Sequence, residues 1–171
     1  PNIATMVEAV DTLTTEKSVK LFERFHIFTK AELESRVEIL YETYAKTINI
    51  EALTMMDMAS KQIIPAVISY TKELAENVVL HMKAGLDASV QRDLLMKVNT
   101  HLKEMQDALA VLQQKEAKAS AMKRGKEQAF FYKDEVKTAM EALRVPADKL
   151  EVLVDKRVWP FPTYADLIFE V

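Results

Sequence analysis

The stretch that decides the fold is LMKVNTHLKEMQDALAVL, residues Leu95–Leu112. Its large apolar residues follow one another at alternating spacings of three and four, and they are Leu95, Val98, Leu102, Met105, Leu109 and Leu112. This is the spacing of a helix that packs along a second helix, as an antiparallel pair or as a coiled coil. The stretch therefore predicts a long amphipathic helix, which we place at residues 88–124, with another long helix beside it.

The predicted partner is a helix over residues 30–84. Thr29 and Glu32 have the spacing of a capping box, and apolar residues recur at helical intervals after them. Pro65 interrupts the pattern, and its missing amide hydrogen is expected to kink the helix or to divide it into two nearly collinear ones. Gly85 is expected to end it.

Shorter helices are expected around this pair. Two precede it, over Asn2–Leu13 and Thr14–Phe25, and one follows the weak point at Gly125. Pro146 is expected to stand in the first turn of a last short helix, where its missing N–H costs nothing. No segment predicts a sheet. We therefore expect an all-α fold, a helical bundle with two long antiparallel helices, in a single domain over residues 1–171.

The chain closes with RVWPFPTYADLIFEV, an aromatic strip at residues 157–171 that carries the single tryptophan. Pro160 and Pro162 predict an extended, non-helical strap. Burying a large apolar side chain is worth roughly 1.5–3 kcal/mol, so we expect the strap to lie in a groove of this bundle, of a neighbouring domain or of another subunit. The predicted packing contact consists of Trp159, Pro160, Phe161, Pro162, Tyr164 and Phe169.

The composition excludes several classes of site. Two glycines among 171 residues are too few for glycine-rich phosphate loops. A formal net charge of −3 favours neither nucleic acid nor an anionic membrane as a partner, and no apolar run has the length of a membrane span. The absence of cysteine fits a reducing compartment, so we expect a cytoplasmic protein.

Candidate metal ligands are sparse. Glu23 and His26 form a single Glu-x-x-His match, whereas a di-iron bundle needs two such motifs and further carboxylates. His26 is therefore interpreted as a helix-end or surface residue, and His101 with Glu104 as solvated neighbours on one helix face. We predict no catalytic, cofactor-binding or metal-binding residue in this chain.

Three further features leave alternatives open. The basic stretch at residues 115–126 has the charge to bind phosphate but also suits a solvated helix end. The methionine cluster at 54–58 suits an adaptable surface or, as we prefer, a core. Arg36 and Glu51 lie among apolar residues and are candidates for buried ion pairs.

Four segments resemble the C-terminus of type III glutamine synthetases, a large bacterial branch of that enzyme family. They are FTKAELESRVEILYETYAKTINIEALTMMDMA (28–59), PAVISYTKELA (65–75), FYKDEVKTAMEAL (131–143) and RVPADKLEVLVDKRVWPFPTYADLIFEV (144–171). The resemblance extends from about Phe22 to Val171. WPFPTY followed by DLIFEV is its most specific part, and residues 86–125 match in character more than in motif.

The resemblance implies a parent enzyme that joins ammonia to glutamate at the expense of ATP, in ring-shaped oligomers with Mg²⁺ or Mn²⁺ in each site. In that family the site is built on a curved β-sheet, and none of its motifs stands in this sequence. The resemblance therefore implies a detached, structural C-terminal domain, and the Pro1 start agrees with it. Its partner would be the catalytic domain or a neighbouring subunit, with a homo-oligomer possible. The alternatives are a regulatory module that docks another protein and a stand-alone helical-bundle protein.

Overall fold

The computed structural model describes residues 3 and 5–169, without the side chain of Tyr164, and within them the chain contains helices and no strand. The helices are α1 (Met6–Asp11), α2 (Glu16–Arg24), α3 (Lys30–Met58), α4 (Ile64–Lys83), α5 (Ser89–Ser120), α6 (Lys126–Phe131), α7 (Lys137–Leu153) and α8 (Tyr164–Phe169). A 3₁₀ turn covers Thr12–Thr14, and π-helical turns cover Ala59–Ile63 and Tyr132–Val136. The predicted all-α fold with long helices is confirmed. Among the described residues no helix combines the length and apolarity that crossing a membrane requires.

The chain divides into two compact units. The first comprises Pro1–Leu53 with Gln114–Thr138, and the second comprises Thr54–Gln113 with Ala139–Val171. The boundary falls inside α3, α5 and α7. That the two units fold as the single domain expected from the sequence stays a prediction.

In the first unit, α1 is held by apolar packing and by charge. Val7 and Val10 are buried in a cluster with Val37, Tyr41 and Ala129. Beside this cluster the carboxylate of Asp11 accepts hydrogen bonds from the Tyr41 hydroxyl at 3.0 Å and from the Lys126 ammonium at 2.6 Å. A helix of six residues is too short to be stable by itself, so these contacts are what keep it formed.

In the second unit, α4 and α5 form a helical hairpin. His81 and Gln91 approach each other through their side-chain nitrogens at 3.2 Å, and Arg92 donates to the Met82 sulfur at 3.5 Å. These pairs lie on either side of the turn at residues 84–88, so the two helices run in opposite directions there.

The apolar residues that recur at spacings of three and four along Leu95–Leu112 form the buried face of α5. Val98, Met105 and Leu112 are fully buried, and Leu109 is nearly so. Leu95 and Leu102 are half-buried. The predicted helix therefore forms and buries the predicted side, between Ser89 and Ser120 rather than over 88–124.

Pro65 does not end the long helix, which continues for 54 residues from Lys30 to Lys83. The π-helical turn Ala59–Ile63 lies directly before it. Such a turn bonds each amide hydrogen to the carbonyl five residues back and so takes in one extra residue. The helix thus changes its hydrogen-bonding pattern just ahead of the position where proline has no hydrogen to donate.

Two sequence expectations are wrong at the end of the chain. Pro146 does not begin a separate helix but lies buried inside α7, where burial of its ring can offset one lost backbone hydrogen bond. The strap predicted as non-helical over 157–171 contains α8 at Tyr164–Phe169. Helix is possible there because both prolines of the strap lie upstream of Tyr164. Residues 170 and 171, like Asn2 of the first predicted helix, lie outside the described residues.

Arg36 and Glu51 are exposed, so the prediction of buried ion pairs is also wrong. The guanidinium of Arg36 instead lies over the Phe28 ring, 4.3 Å from its centroid. A long arginine side chain can cover an aromatic face while its charge stays in water. This explains why Arg36 lies beside apolar residues.

Two helices end with the same backbone motif. After α4, the Leu86 amide donates to the His81 carbonyl at 2.9 Å and the Gly85 amide to the Met82 carbonyl at 3.2 Å, with Gly85 at φ +72°. After α2, His26 takes the glycine position at φ 53°. This is the Schellman arrangement, in which a side chain at the left-handed position is strained.

We expect His26→Gly and Gly85→Ala to change stability in opposite directions. Glycine should relieve the strain at position 26 and raise the free energy of unfolding by about 0.5–1 kcal/mol. Alanine at position 85 should lower it by about 1 kcal/mol, although no atom lies within 4 Å of the added Cβ. Urea unfolding followed by far-UV circular dichroism measures both, and a change of the same sign in the two variants would contradict the assignment.

Candidate functional site

The described residues contain no group of three or more histidine, aspartate and glutamate side chains that could hold a metal ion. Glu23 accepts a hydrogen bond from the Lys30 backbone amide at 3.3 Å, while His26 occupies the strained position after α2. The His101 ring lies 2.8 Å from Glu104, whose pKa is lowered by that hydrogen bond and by the nearby Lys149 ammonium. These groups form local pairs, and the donor set does not fit a di-metal centre.

The basic stretch is largely engaged within the first unit. Lys115 pairs with Glu135 and Lys126 with Asp11. The Lys118 ammonium lies over the Phe131 ring, 5.0 Å from its centroid. Cations that are paired and stacked in this way hold elements of the unit together, which differs from the solvated helix end considered for residues 115–126.

The candidate site that remains is the C-terminal strap of the second unit, and it begins with a charged turn. The Asp155 carboxylate accepts from the Arg157 backbone amide at 2.8 Å and from its guanidinium at 2.7 and 3.1 Å. The side-chain hydrogen bonds from Arg157, followed by its backbone hydrogen bond, lower the pKa of Asp155 to about 2. The turn closes when the Val158 and Trp159 amides both donate to the Asp155 carbonyl.

This turn directs the Trp159 side chain inward, where it is only 8% exposed. A groove of about 250 Å³ opens beside it, and its walls include Met58, Ile63, Phe161 and Leu167. Phe161 is half-buried at this wall. Trp159 and Phe161 therefore anchor the strap at this groove of the second unit.

After the anchor, the chain forms α8 through a second capping box. The Thr163 amide donates to the Asp166 carboxylate at 2.9 Å, and the Asp166 amide donates to the Thr163 hydroxyl at 3.3 Å. Lys156 pairs with the same carboxylate. Its ammonium, followed by the Thr163 donors, lowers the pKa of Asp166 to about 2, so one carboxylate caps α8 and ties it to the charged turn.

The outer part of the strap remains exposed. Phe169 is 80% exposed, and Leu167 and Ile168 are also largely in water. Pro160 and Pro162 are exposed as well, whereas the side chain of Tyr164 lies outside the described residues. Of the predicted contact residues whose side chains are described, Trp159 and Phe161 form an inner group beside the groove, and Pro160, Pro162 and Phe169 form an exposed outer group. That these residues make an interdomain contact stays a prediction.

Sequence reasoning missed the charged groups that position this strap. Lys156 and Asp166 pair across ten residues, and Asp155 and Arg157 close the turn. Asp166 could have been identified from the sequence, because Thr163 and Asp166 have the spacing of a capping box directly after the last proline. The Lys156 pair had no local signal, since it depends on how the strap folds back.

Comparison with known proteins finds similarity to one family. Residues 1–83 match the family described as glutamine synthetase C-terminal domain. A glutamine synthetase of Butyrivibrio fibrisolvens is 33% identical over 100% of this chain. A type-3 glutamine synthetase of Dictyostelium discoideum is 31% identical over 98% of it, and a glutamine synthetase of Bacteroides fragilis (strain YCH46) is 30% identical over 98%. The chain spans 25%, 24% and 24% of these relatives, about a quarter of their length.

We expect Trp159→Ala to destabilise the chain by about 3 kcal/mol, the lower end of the range for removing a buried tryptophan. Phe169→Ala, at the exposed end of the same strap, should change stability by less than about 0.5 kcal/mol. Urea unfolding followed by far-UV circular dichroism gives both values without relying on the tryptophan. Similar losses in the two variants would contradict the division into inner and outer groups.

The depressed pKa of Asp166 predicts a loss of stability in acid. A carboxylate whose pKa falls from 3.8 to about 2 on folding stabilises the folded state above pH 4. That contribution is lost as the pH falls through about 2. The destabilisation caused by Asp166→Asn should therefore be largest above pH 5 and should shrink toward zero near pH 2.

Urea unfolding at several pH values, followed by the fluorescence of Trp159, tests this expectation. Asp93→Asn, which removes an exposed carboxylate from α5, serves as the control. A loss in Asp166→Asn that stays constant from pH 6 to pH 2 would show that the charge of Asp166 is not what holds α8.

Proposed function

This chain belongs to the glutamine synthetase C-terminal domain family, and from that premise we propose that it is the non-catalytic, structural C-terminal domain of a type III glutamine synthetase. The observation that carries the proposal is the alignment of 98–100% of the chain with glutamine synthetases at 30–33% identity. Because the chain spans about a quarter of those proteins, the complete enzyme provides the remaining sequence.

The complete enzyme would join ammonia to glutamate in the cytoplasm, with ATP hydrolysed to ADP and phosphate and with Mg²⁺ or Mn²⁺ bound. The residues described here do not offer the carboxylate and histidine cluster that such an ion needs. We therefore assign the metal and nucleotide sites to the rest of the enzyme and derive no catalytic step from this chain.

The contribution of this chain is mechanical and depends on the strap. Trp159 and Phe161 fix its first part in the second unit. The pair of Lys156 with Asp166 then holds α8 against the charged turn. An anchored helix presents its exposed side chains in a defined position, and this lowers the entropy that a binding partner must remove.

The exposed apolar side chains of α8 indicate what is bound. Leu167, Ile168 and Phe169 are consecutive and between 66% and 80% exposed. A cluster of this kind on a soluble domain is typical of a contact surface. We assign it to the catalytic domain or to a neighbouring subunit, so that the strap helps to fix the arrangement of subunits.

The proposal is tested in the complete synthetase by replacing Leu167, Ile168 and Phe169 together with serine. We expect a smaller oligomer or a lower melting temperature, measured by size-exclusion chromatography with light scattering and by calorimetry. Deletion of residues 157–171 should have a larger effect, because it also removes the buried anchor.

Val152→Ser is the matched control, since Val152 is 85% exposed on α7 and is outside the strap. It should leave the oligomer and the melting temperature unchanged. If the triple serine variant behaves like this control, the assignment of α8 as a contact surface is wrong.

A further inference from the structure

We infer that the tip of the α4–α5 hairpin, residues 80–93, is a second contact surface and that its partner is the same tip of a second copy of this chain. The inference concerns a surface distinct from the strap. Its test does not depend on the proposed role of α8.

The tip concentrates apolar surface that the fold leaves in water. Leu80, Met82, Leu86 and Val90 are between 58% and 75% exposed. The backbone bond from Leu86 to His81 returns the chain beside the last turn of α4, where Leu80 also lies. The contact between Met82 and Arg92 brings α4 alongside the first turns of α5, where Val90 lies. The backbone thus gathers these side chains at one end of the hairpin.

The charges of the tip favour an identical partner. Residues 80–93 contain two exposed cations, Lys83 and Arg92, and two exposed anions, Asp87 and Asp93. A strongly acidic or basic partner would gain little net attraction from this balanced set. In a two-fold contact the same patch meets itself in the opposite sense, so cations of one copy can face anions of the other. A patch with equal numbers of cations and anions can be self-complementary in that arrangement.

The apolar seam of α5 is not available for the same purpose. Val98, Met105, Leu109 and Leu112 are already buried within one chain, so two copies could pair through the seam only by opening their own fold. The tip needs no such opening. Because four side chains form a patch well below the roughly 800 Å² per partner of a stable complex, we expect a weak dimer that forms as the concentration rises.

Sedimentation velocity over a range of concentrations tests the inference on the 171-residue chain. We expect a concentration-dependent dimer that Leu86→Glu combined with Val90→Glu shifts to at least tenfold higher concentration. Ile39→Glu and Ile68→Glu, which place the same charge at exposed apolar positions of α3 and α4, should leave the dimer unchanged. Far-UV circular dichroism checks that every variant is folded.

A second measurement uses the absence of cysteine from the chain. A single introduced cysteine can form a disulfide only with another copy, and only where the two Cα atoms approach within about 7 Å. Under mild oxidation we expect Leu86→Cys or Val90→Cys to give a crosslinked dimer at least tenfold faster than Ile68→Cys. A dimer unaffected by the double glutamate variant would overturn the inference. So would a monomer at every concentration together with equal crosslinking rates at the tip and at position 68.

Discussion

Proline's missing amide hydrogen is the constraint on which the course of this chain depends. At Pro65 the long helix continues, with a π-helical turn directly before the proline. At Pro146 the helix also continues, and burial of the ring can offset the one lost bond. At Pro160 and Pro162 the two rings alternate with Trp159 and Phe161, and no helix forms until Tyr164. The short non-helical stretch there brings the tryptophan into the core and starts α8 at a defined place.

The long helices could be predicted from the sequence because residues close together in the chain determine them. The buried face of α5 follows from residue spacing alone, and the capping box at Thr29 and Glu32 forms as expected, with hydrogen bonds of 2.8 and 3.4 Å. The end of α4 at Gly85 has the same local origin, since a glycine can take positive φ at no steric cost. Such signals lie within a few residues of the feature they determine.

The rest could not be predicted because its causes are distant along the chain or compete with one another. The Asp11 carboxylate joins Tyr41 and Lys126, and no local pattern links these three positions. Proline is favoured in the first turn of a helix, and this local preference predicted a helix start at Pro146. The residue instead lies buried inside α7. For the strap, the residue types indicated correctly that Trp159 needs cover, whereas the exposure of Phe169 depends on where α8 happens to point. The sequence therefore shows that an aromatic segment needs burial, but it does not show which of its side chains become buried and which stay exposed.

The π-helical turn at Ala59–Ile63 has a consequence for how the length of this helix can vary. Because the turn accommodates one residue more than an α-helical turn, it is equivalent to a single insertion absorbed without a loop. A homologue that lacks one residue between positions 59 and 63 would convert the turn to ordinary α-helix and keep both flanking segments facing the same neighbours. Single-residue gaps in alignments of this domain are therefore expected to fall at this turn, and elsewhere in the helix they would rotate its buried side out of place.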